Sequence, residues 1–174
     1  CVRDYVLNIP CFDYDIEVFM LEEDKLVEVL ERFGFVSRVG KSFAVYKIAH
    51  MNEYDFALPR TERKTGHTHT DFVVDTNPHL PLTSAIQRRD LTMNALMYDY
   101  KNNELIDLCN GVEDIKNKVI RCVNKDTFIE DPLRVLRIAQ FVSRFDMSVS
   151  DETLMLCKDM VKKGMLEYLS DERV

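Results

Sequence analysis

Phe12-Asp13-Tyr14-Asp15-Ile16-Glu17-Val18-Phe19 alternates, with Phe12, Tyr14, Ile16 and Val18 on one side and Asp13, Asp15, Glu17 and Phe19 on the other. A period of two is that of a β-strand. Asp13 and Asp15 therefore share a face, and at i and i+2 their oxygens can converge on one divalent cation. A hard ion such as Mg²⁺ is held by one or two carboxylates together with substrate phosphates. The other reading is an edge strand with an acidic solvent face. The surrounding chain has to choose between them.

Downstream of this strand, Glu22 to Phe33 carries Leu26, Val27, Val29, Leu30 and Phe33 at helical spacing and is followed by Gly34, a helix-stop signal. Two β-rich runs between Phe35 and His50 are interrupted by Gly40-Lys41-Ser42, which predicts a strand, turn and strand. Tyr54-Asp55-Phe56-Ala57-Leu58 alternates again up to Pro59. Upstream, Val2 to Leu7 reads as a short helix. The β-α-β-β order predicts a small mixed sheet in an α/β (α+β) domain.

The segment from Arg60 to Pro81 is polar and holds Gly66, Asn77, Pro78 and Pro81. It reads mostly as a mobile loop, with Asp71 to Asp75 as a candidate short strand. Leu82 to Met97 is expected to be a helix carrying Arg88, Arg89, Asp90 and Asn94. Two short strands around Lys101-Asn102-Asn103, a helical turn over Gly111 to Lys118 and a strand over Val119 to Val123 follow. At Glu130 the character turns helical. Asp131-Pro132 is a start signal, Asp as N-cap and Pro at the first position, for a helix to about Phe145, and Ser150 is placed to cap another through about Lys163.

Composition narrows the function classes. A chain of 174 residues with 46% apolar and 30% charged residues suits a globular domain, alone or with the start of a second. No apolar run reaches membrane-spanning length, so no membrane partner is expected. Cys1, Cys11, Cys109, Cys122 and Cys157 are odd in number and scattered, which reads as reduced thiols in a cytoplasmic protein with no disulfide partner. His67 and His69 have no third ligand nearby and read as part of a polar loop. The formal net charge of −7 argues against holding nucleic acid by bulk electrostatics. Local basic clusters stand instead at Arg60, Arg63 and Lys64, at Arg88 and Arg89, and at Arg134 and Arg137. The first of these either closes over a phosphate ligand or is solvated charge.

Four motifs then occur in order: Cys1-Val2-Arg3-Asp4, Asp13-Tyr14-Asp15, Arg88-Arg89-Asp90-Leu91-Thr92-Met93-Asn94-Ala95, and Glu130-Asp131-Pro132-Leu133-Arg134-Val135-Leu136-Arg137. With the lesser match Gly111 to Lys118, they resemble the head domain of the class II tRNA nucleotidyltransferases, the CCA-adding enzymes, and of the bacterial poly(A) polymerases. The resemblance implies a nucleotidyltransferase head over residues 1–125 and the start of a helical neck over 126–174. The family motif has two glycines before the position of Cys1, and a final helical segment stops at Val174, so continuation in both directions is expected.

The resemblance also implies roles. Asp13 and Asp15 match the Mg²⁺-binding pair, and Asp55 is the best placed candidate for a third carboxylate, its alternative being one polar position in an ordinary strand. Arg3 and Arg88 match phosphate-contacting positions, for which a guanidinium fork is suited. Asp131 and Arg134 match the pair that reads the incoming base, with Arg137 in support, whereas Gln140 stands where many members have another arginine. The chemistry is coherent: cytosine and adenine each present an amino donor beside an unprotonated ring nitrogen, which a carboxylate and a guanidinium complement. The implied partners are ATP, CTP and the tRNA 3′ end. Poly(A), A-adding or CC-adding activity is the alternative, and a non-catalytic RNA-binding relative a second.

Overall fold

The computed structural model describes residues 1–39, 45–64 and 72–169. They form two compact units, one mainly from residues 3–63 and 73–85, the other mainly from residue 86 onward.

In the first unit, α1 (Val2–Val6) leads into β1 (Tyr14–Glu17), α2 (Glu23–Leu30), β2 (Val36–Val39), β3 (Val45–Ile48) and β4 (Tyr54–Ala57). The sheet order is β1-β4-β3-β2, with β1 parallel to β4 and the other pairs antiparallel. This is the small mixed sheet expected from the alternating runs. The apolar stripe of α2 explains its place. Leu26 and Leu30 pack with Tyr46, Ile48 and Leu58, and Val36 and Phe56 pack against the same cluster. Burying each such side chain is worth about 2 kcal/mol. The Tyr46 hydroxyl donates to Glu23 of α2, and burial followed by this bond pushes its pKa up to about 12. Since one face of the sheet is taken by α2, the alternate residues Asp15, Asp55 and Lys47 fall on the other.

The turn expected at Gly40-Lys41-Ser42 and the residues His67 and His69 lie outside the described residues. The loop expected over residues 60–81 is corrected in part. Arg60–Lys64 forms β5 and pairs with β6 (Phe72–Thr76) in a two-stranded ribbon. Arg60-Thr61-Glu62-Arg63-Lys64 has no apolar alternation to announce it.

A second correction concerns residues 82–97. The helix α3 (Leu82–Gln87) ends before Arg88, and a 3-10 turn covers Thr92–Asn94. Asp90 stops the helix by accepting from the Leu91 N–H at 2.8 Å and from Asn94 Nδ2 at 3.0 Å, an alternative to helical backbone bonding. Arg88, Arg89 and Asp90 thus lie on an irregular segment, and helical phasing does not apply to the arginine pair.

The second unit continues with β7 (Met97–Asp99), β8 (Glu104–Ile106), α4 (Gly111–Lys116), β9 (Val119–Ile120), α5 (Lys125–Phe128), α6 (Leu133–Phe145), β10 (Ser148–Val149) and α7 (Asp151–Lys162). Asp107 accepts from the N–H groups of Gly111 and Val112 at 2.8 and 2.9 Å, starting α4. A Cβ at Gly111 would sit 2.3 Å from the Thr92 carbonyl oxygen, so glycine lets α4 approach the 92–94 turn. Asp114, buried on α4, accepts from the Thr92 hydroxyl at 2.8 Å and from Arg121 Nε at 3.2 Å. The expected start holds at α7, whereas α6 begins one residue later than expected, with Pro132 at the N-cap position and Asp131 just before it. Asp131 Oδ1 accepts from the Leu133 N–H at 3.1 Å, and Ser150 Oγ accepts from the Thr153 N–H at 3.4 Å. No described helix is long and apolar enough to cross a membrane, and all five cysteines are free.

Candidate functional site

Two groups of candidate residues are built by the two units. In the first, parallel pairing sets Asp15 directly opposite Asp55. The next strand over, β3, pairs antiparallel with β4 through Val45 and Ala57 and through Tyr46 and Phe56, which brings Lys47 opposite Asp55. One row across the sheet therefore reads Asp15, Asp55, Lys47, Ser37. Asp13 and Asp15 are exposed, and Asp13 lies just before β1.

Lys47 Nζ lies 2.6 Å from Asp55 Oδ1. That oxygen is shielded from solvent, and the ammonium of Lys47 is the charged group facing it. The Asp55 contact is the largest influence raising the Lys47 pKa above its ordinary value, partly opposed by desolvation and reinforced by the charges of Asp55, Asp13 and Asp15. All three aspartates thus act on a single point. Sequence reasoning brought the aspartates forward but missed Lys47. Its only trace is one charged residue in the apolar run Val45-Tyr46-Lys47-Ile48, and its meaning depends on the β3/β4 register.

Carboxylate oxygens alone suit a hard cation such as Mg²⁺ and not a soft one. Among the described residues no three His, Cys, Asp or Glu side chains converge tightly enough to hold a metal by themselves. A hard ion held by one or two carboxylates takes its remaining ligands from water and substrate phosphates. The shielded Asp55 oxygen beside a cationic group shows that the face favours positive charge.

In the second unit α6 ties down the segment around Arg88. The Arg134 guanidinium donates from Nη1 to the Thr127 carbonyl at 2.9 Å and from Nη2 to the Arg88 carbonyl at 2.7 Å. One helical turn on, Arg137 Nε donates to Asp90 Oδ2 at 2.8 Å, while its guanidinium carbon lies 5.2 Å from the centre of the Phe141 ring. Thr127 Oγ1 donates to the Gln87 carbonyl at 2.9 Å and Asn124 Nδ2 to Gln87 Oε1 at 2.8 Å. The Arg88 motif and the Asp131 motif are therefore one assembly, with α5 as the part unannounced by the sequence reading; its signal was Asn124, whose side chain caps the helix. Arg3 pairs with its neighbour Asp4, Nη2 to Oδ1 at 2.6 Å.

Burial would raise the Asp90 pKa, but the Arg137 charge and the hydrogen bonds from Asn94, Arg137 and Leu91 outweigh it and leave the carboxyl below its ordinary value of 3.8. A depressed carboxyl stabilises the fold above that ordinary value, and the contribution is lost as pH falls through the lower, folded value. Asp90→Asn is expected to cost about 1–2 kcal/mol near neutral pH, given that Arg137 is partly exposed. Denaturant midpoints of the two proteins should differ by a constant amount down to about pH 4 and converge below it. A gap that persists unchanged in stronger acid would contradict the ion pair.

A small mixed sheet with α2 on one face and the carboxylates of Asp15 and Asp55 on the other is a nucleotidyltransferase-type fold. Residues 1–121 match the family model described as the Poly A polymerase head domain, and the chain belongs to that family. Among curated relatives, a multifunctional CCA protein of Aromatoleum aromaticum is 43% identical over 174 residues, covering 99% of this chain and 41% of the relative. A CCA-adding enzyme of Actinobacillus succinogenes is 39% identical over 176 residues, covering 99% and 42%. Two solved structures of a CCA-adding enzyme are similar: the complex with CTP, at TM-score 0.77 and 28% identity, and the complex with ATP, at 0.78 and 29%. Each covers 99% of this chain and 38% of the other. The chain thus spans about 40% of the length of the relatives it matches.

Proposed function

We propose that the protein is a template-independent tRNA nucleotidyltransferase, adding C and A from CTP and ATP to the tRNA 3′ end and releasing pyrophosphate. The observation that carries this is the register of Asp15 on Asp55, with Asp13 one residue before β1 and close enough to act on the same Lys47. Its relatives are described as CCA-adding, and solved relatives hold CTP and ATP, which supports the choice of substrates. Residues 1–125 form the head in this reading and 126–174 the start of a neck. Its five free thiols suit the cytoplasm.

Asp13 and Asp15 would hold Mg²⁺, with Asp55 as the third carboxylate. When bound, the ion lowers the pKa of the attacking hydroxyl and offsets charge on the phosphates. The tRNA 3′ oxygen forms a bond to the α-phosphorus, the bond from that phosphorus to the β-bridging oxygen breaks, and the hydroxyl proton is lost to the surroundings. Arg3 and Arg88 contact the triphosphate. Asp131 accepts from the amino group of cytosine or adenine, and Arg134 donates to the neighbouring ring nitrogen. Two carbonyls fix the Arg134 plane while leaving three of its five N–H groups for such a bond.

The test is incorporation of labelled nucleotides by the intact protein into tRNA lacking its 3′ end. Growth by two C and one A followed by arrest is the expected product. Long A tails would assign the poly(A) reading, and no extension would leave a non-catalytic RNA-binding relative.

A further inference from the structure

We propose that Lys47 is a positioning residue, a built-in counter-ion that occupies Asp55 and weakens the hold of the carboxylate face on a divalent cation until nucleotide arrives. The inference rests on the reading of Asp13, Asp15 and Asp55 as the transfer site.

The geometry carries it in three steps. β4 lies between β1 and β3, so Asp55 has the like-charged Asp15 on one side and Lys47 on the other. Directly opposed side chains on neighbouring strands stand close enough for charge to matter, and like charges there are unfavourable. Asp55 is thus drawn toward Lys47, and the 2.6 Å contact is the result. Second, the Asp55 oxygen in that contact is shielded from solvent although the side chain as a whole is 38% exposed, so the ammonium takes the place of water. Third, lysine is a point charge on a flexible stem that can swing away, unlike the rigid fork of arginine. Lys47 is 37% exposed, so its head has open solvent to move into.

A cation approaching the face meets this ammonium twice over. It is repelled by the positive charge, and it finds one carboxylate of the three already occupied. Triphosphate oxygens add negative charge and reverse the balance, so metal and nucleotide are expected to load together.

The experiment is titration of the intact, nucleotide-free protein with Mn²⁺ at low ionic strength, following the free ion by electron paramagnetic resonance. Lys47→Gln and Lys47→Met are expected to bind Mn²⁺ about three- to tenfold more tightly than the wild type, a range set by the screening of a partly exposed charge. The gain should shrink as salt is added. Lys47→Arg, which keeps the charge, should stay close to wild type. Melting curves check that each variant is folded, and the two neutral replacements guard against an effect of one side chain. Equal or weaker Mn²⁺ binding by both folded neutral variants overturns the counter-ion role. Asp13→Asn separates this from the underlying reading: if it leaves Mn²⁺ binding intact, the ion sits elsewhere and the site assignment falls with the inference. If it abolishes binding while the Lys47 variants match the wild type, only the inference falls.

Discussion

Asp13→Asn is expected to lower nucleotide transfer by about a thousandfold or more while the melting temperature stays within a degree or two of the wild type, because metal assistance is worth several kcal/mol of barrier. Both halves follow from position. Asp13 is exposed and precedes β1, and its backbone carbonyl, not its carboxylate, accepts from Cys11 Sγ at 3.2 Å. The side chain is not needed for the sheet. Asparagine keeps the shape and removes the charge, so the loss should come from chemistry. The comparison is steady-state incorporation of labelled CTP into truncated tRNA, with thermal melting on the same samples. A folded Asp13→Asn protein that transfers at the wild-type rate would take the acidic strand out of the mechanism.

The acidic strand was legible because two simple periods meet there. The alternation through residues 12–19 is visible without any partner strand, and the stripe on α2 says which side of the sheet must be covered. Given that side, the aspartates have only the other. The helix start at Ser150 was legible for the same reason, since a cap acts within three residues of itself, and the start of α6 was legible to within one residue. What could not be read depends on partners distant in sequence. Lys47 is an ordinary strand residue until the register with β4 places it against Asp55. The helix expected across Arg88 stops because Asp90 is engaged by Leu91, Asn94 and, from 47 positions away, Arg137. The strand expected over Val119 to Val123 is confined to Val119–Ile120, and its parallel partner β10, two residues long, is too short to show a period.

These interactions also change how the arginines are understood. As a sequence pattern, Arg134 and Arg137 are two cations on one helical face, equally suited to phosphate. In the structure each has a distinct task. Arg137 neutralises the partly buried carboxylate of Asp90, and Arg134 is oriented by the carbonyls of Thr127 and Arg88. A group held by two fixed acceptors loses little freedom on meeting a ligand, which is the condition under which a hydrogen bond discriminates well. The same fact makes Arg134→Ala a poor probe, since it would release the Arg88 segment as well as any base contact.

Asp131 offers the cleaner measurement of base choice. Asp131→Ala removes both the proposed acceptor for the base amino group and the acceptor for the Leu133 N–H, with a stability loss of about 1 kcal/mol from that hydrogen bond alone. Asp131→Asn separates these effects, because its amide oxygen can still accept from the Leu133 N–H while its NH₂ can point a donor at the base. Both variants are expected to lose selectivity for CTP and ATP over UTP and GTP by about ten- to a hundredfold, the scale of 1–3 kcal/mol for a well-matched pair of hydrogen bonds to a base edge. Asparagine should do so with the smaller drop in melting temperature. The readout is the ratio of kcat/KM for each nucleotide on tRNA truncated to the matching position. If Asp131→Asn and Asp131→Ala both keep the wild-type ratios, the carboxylate serves only to start α6, and base choice must be sought in other residues.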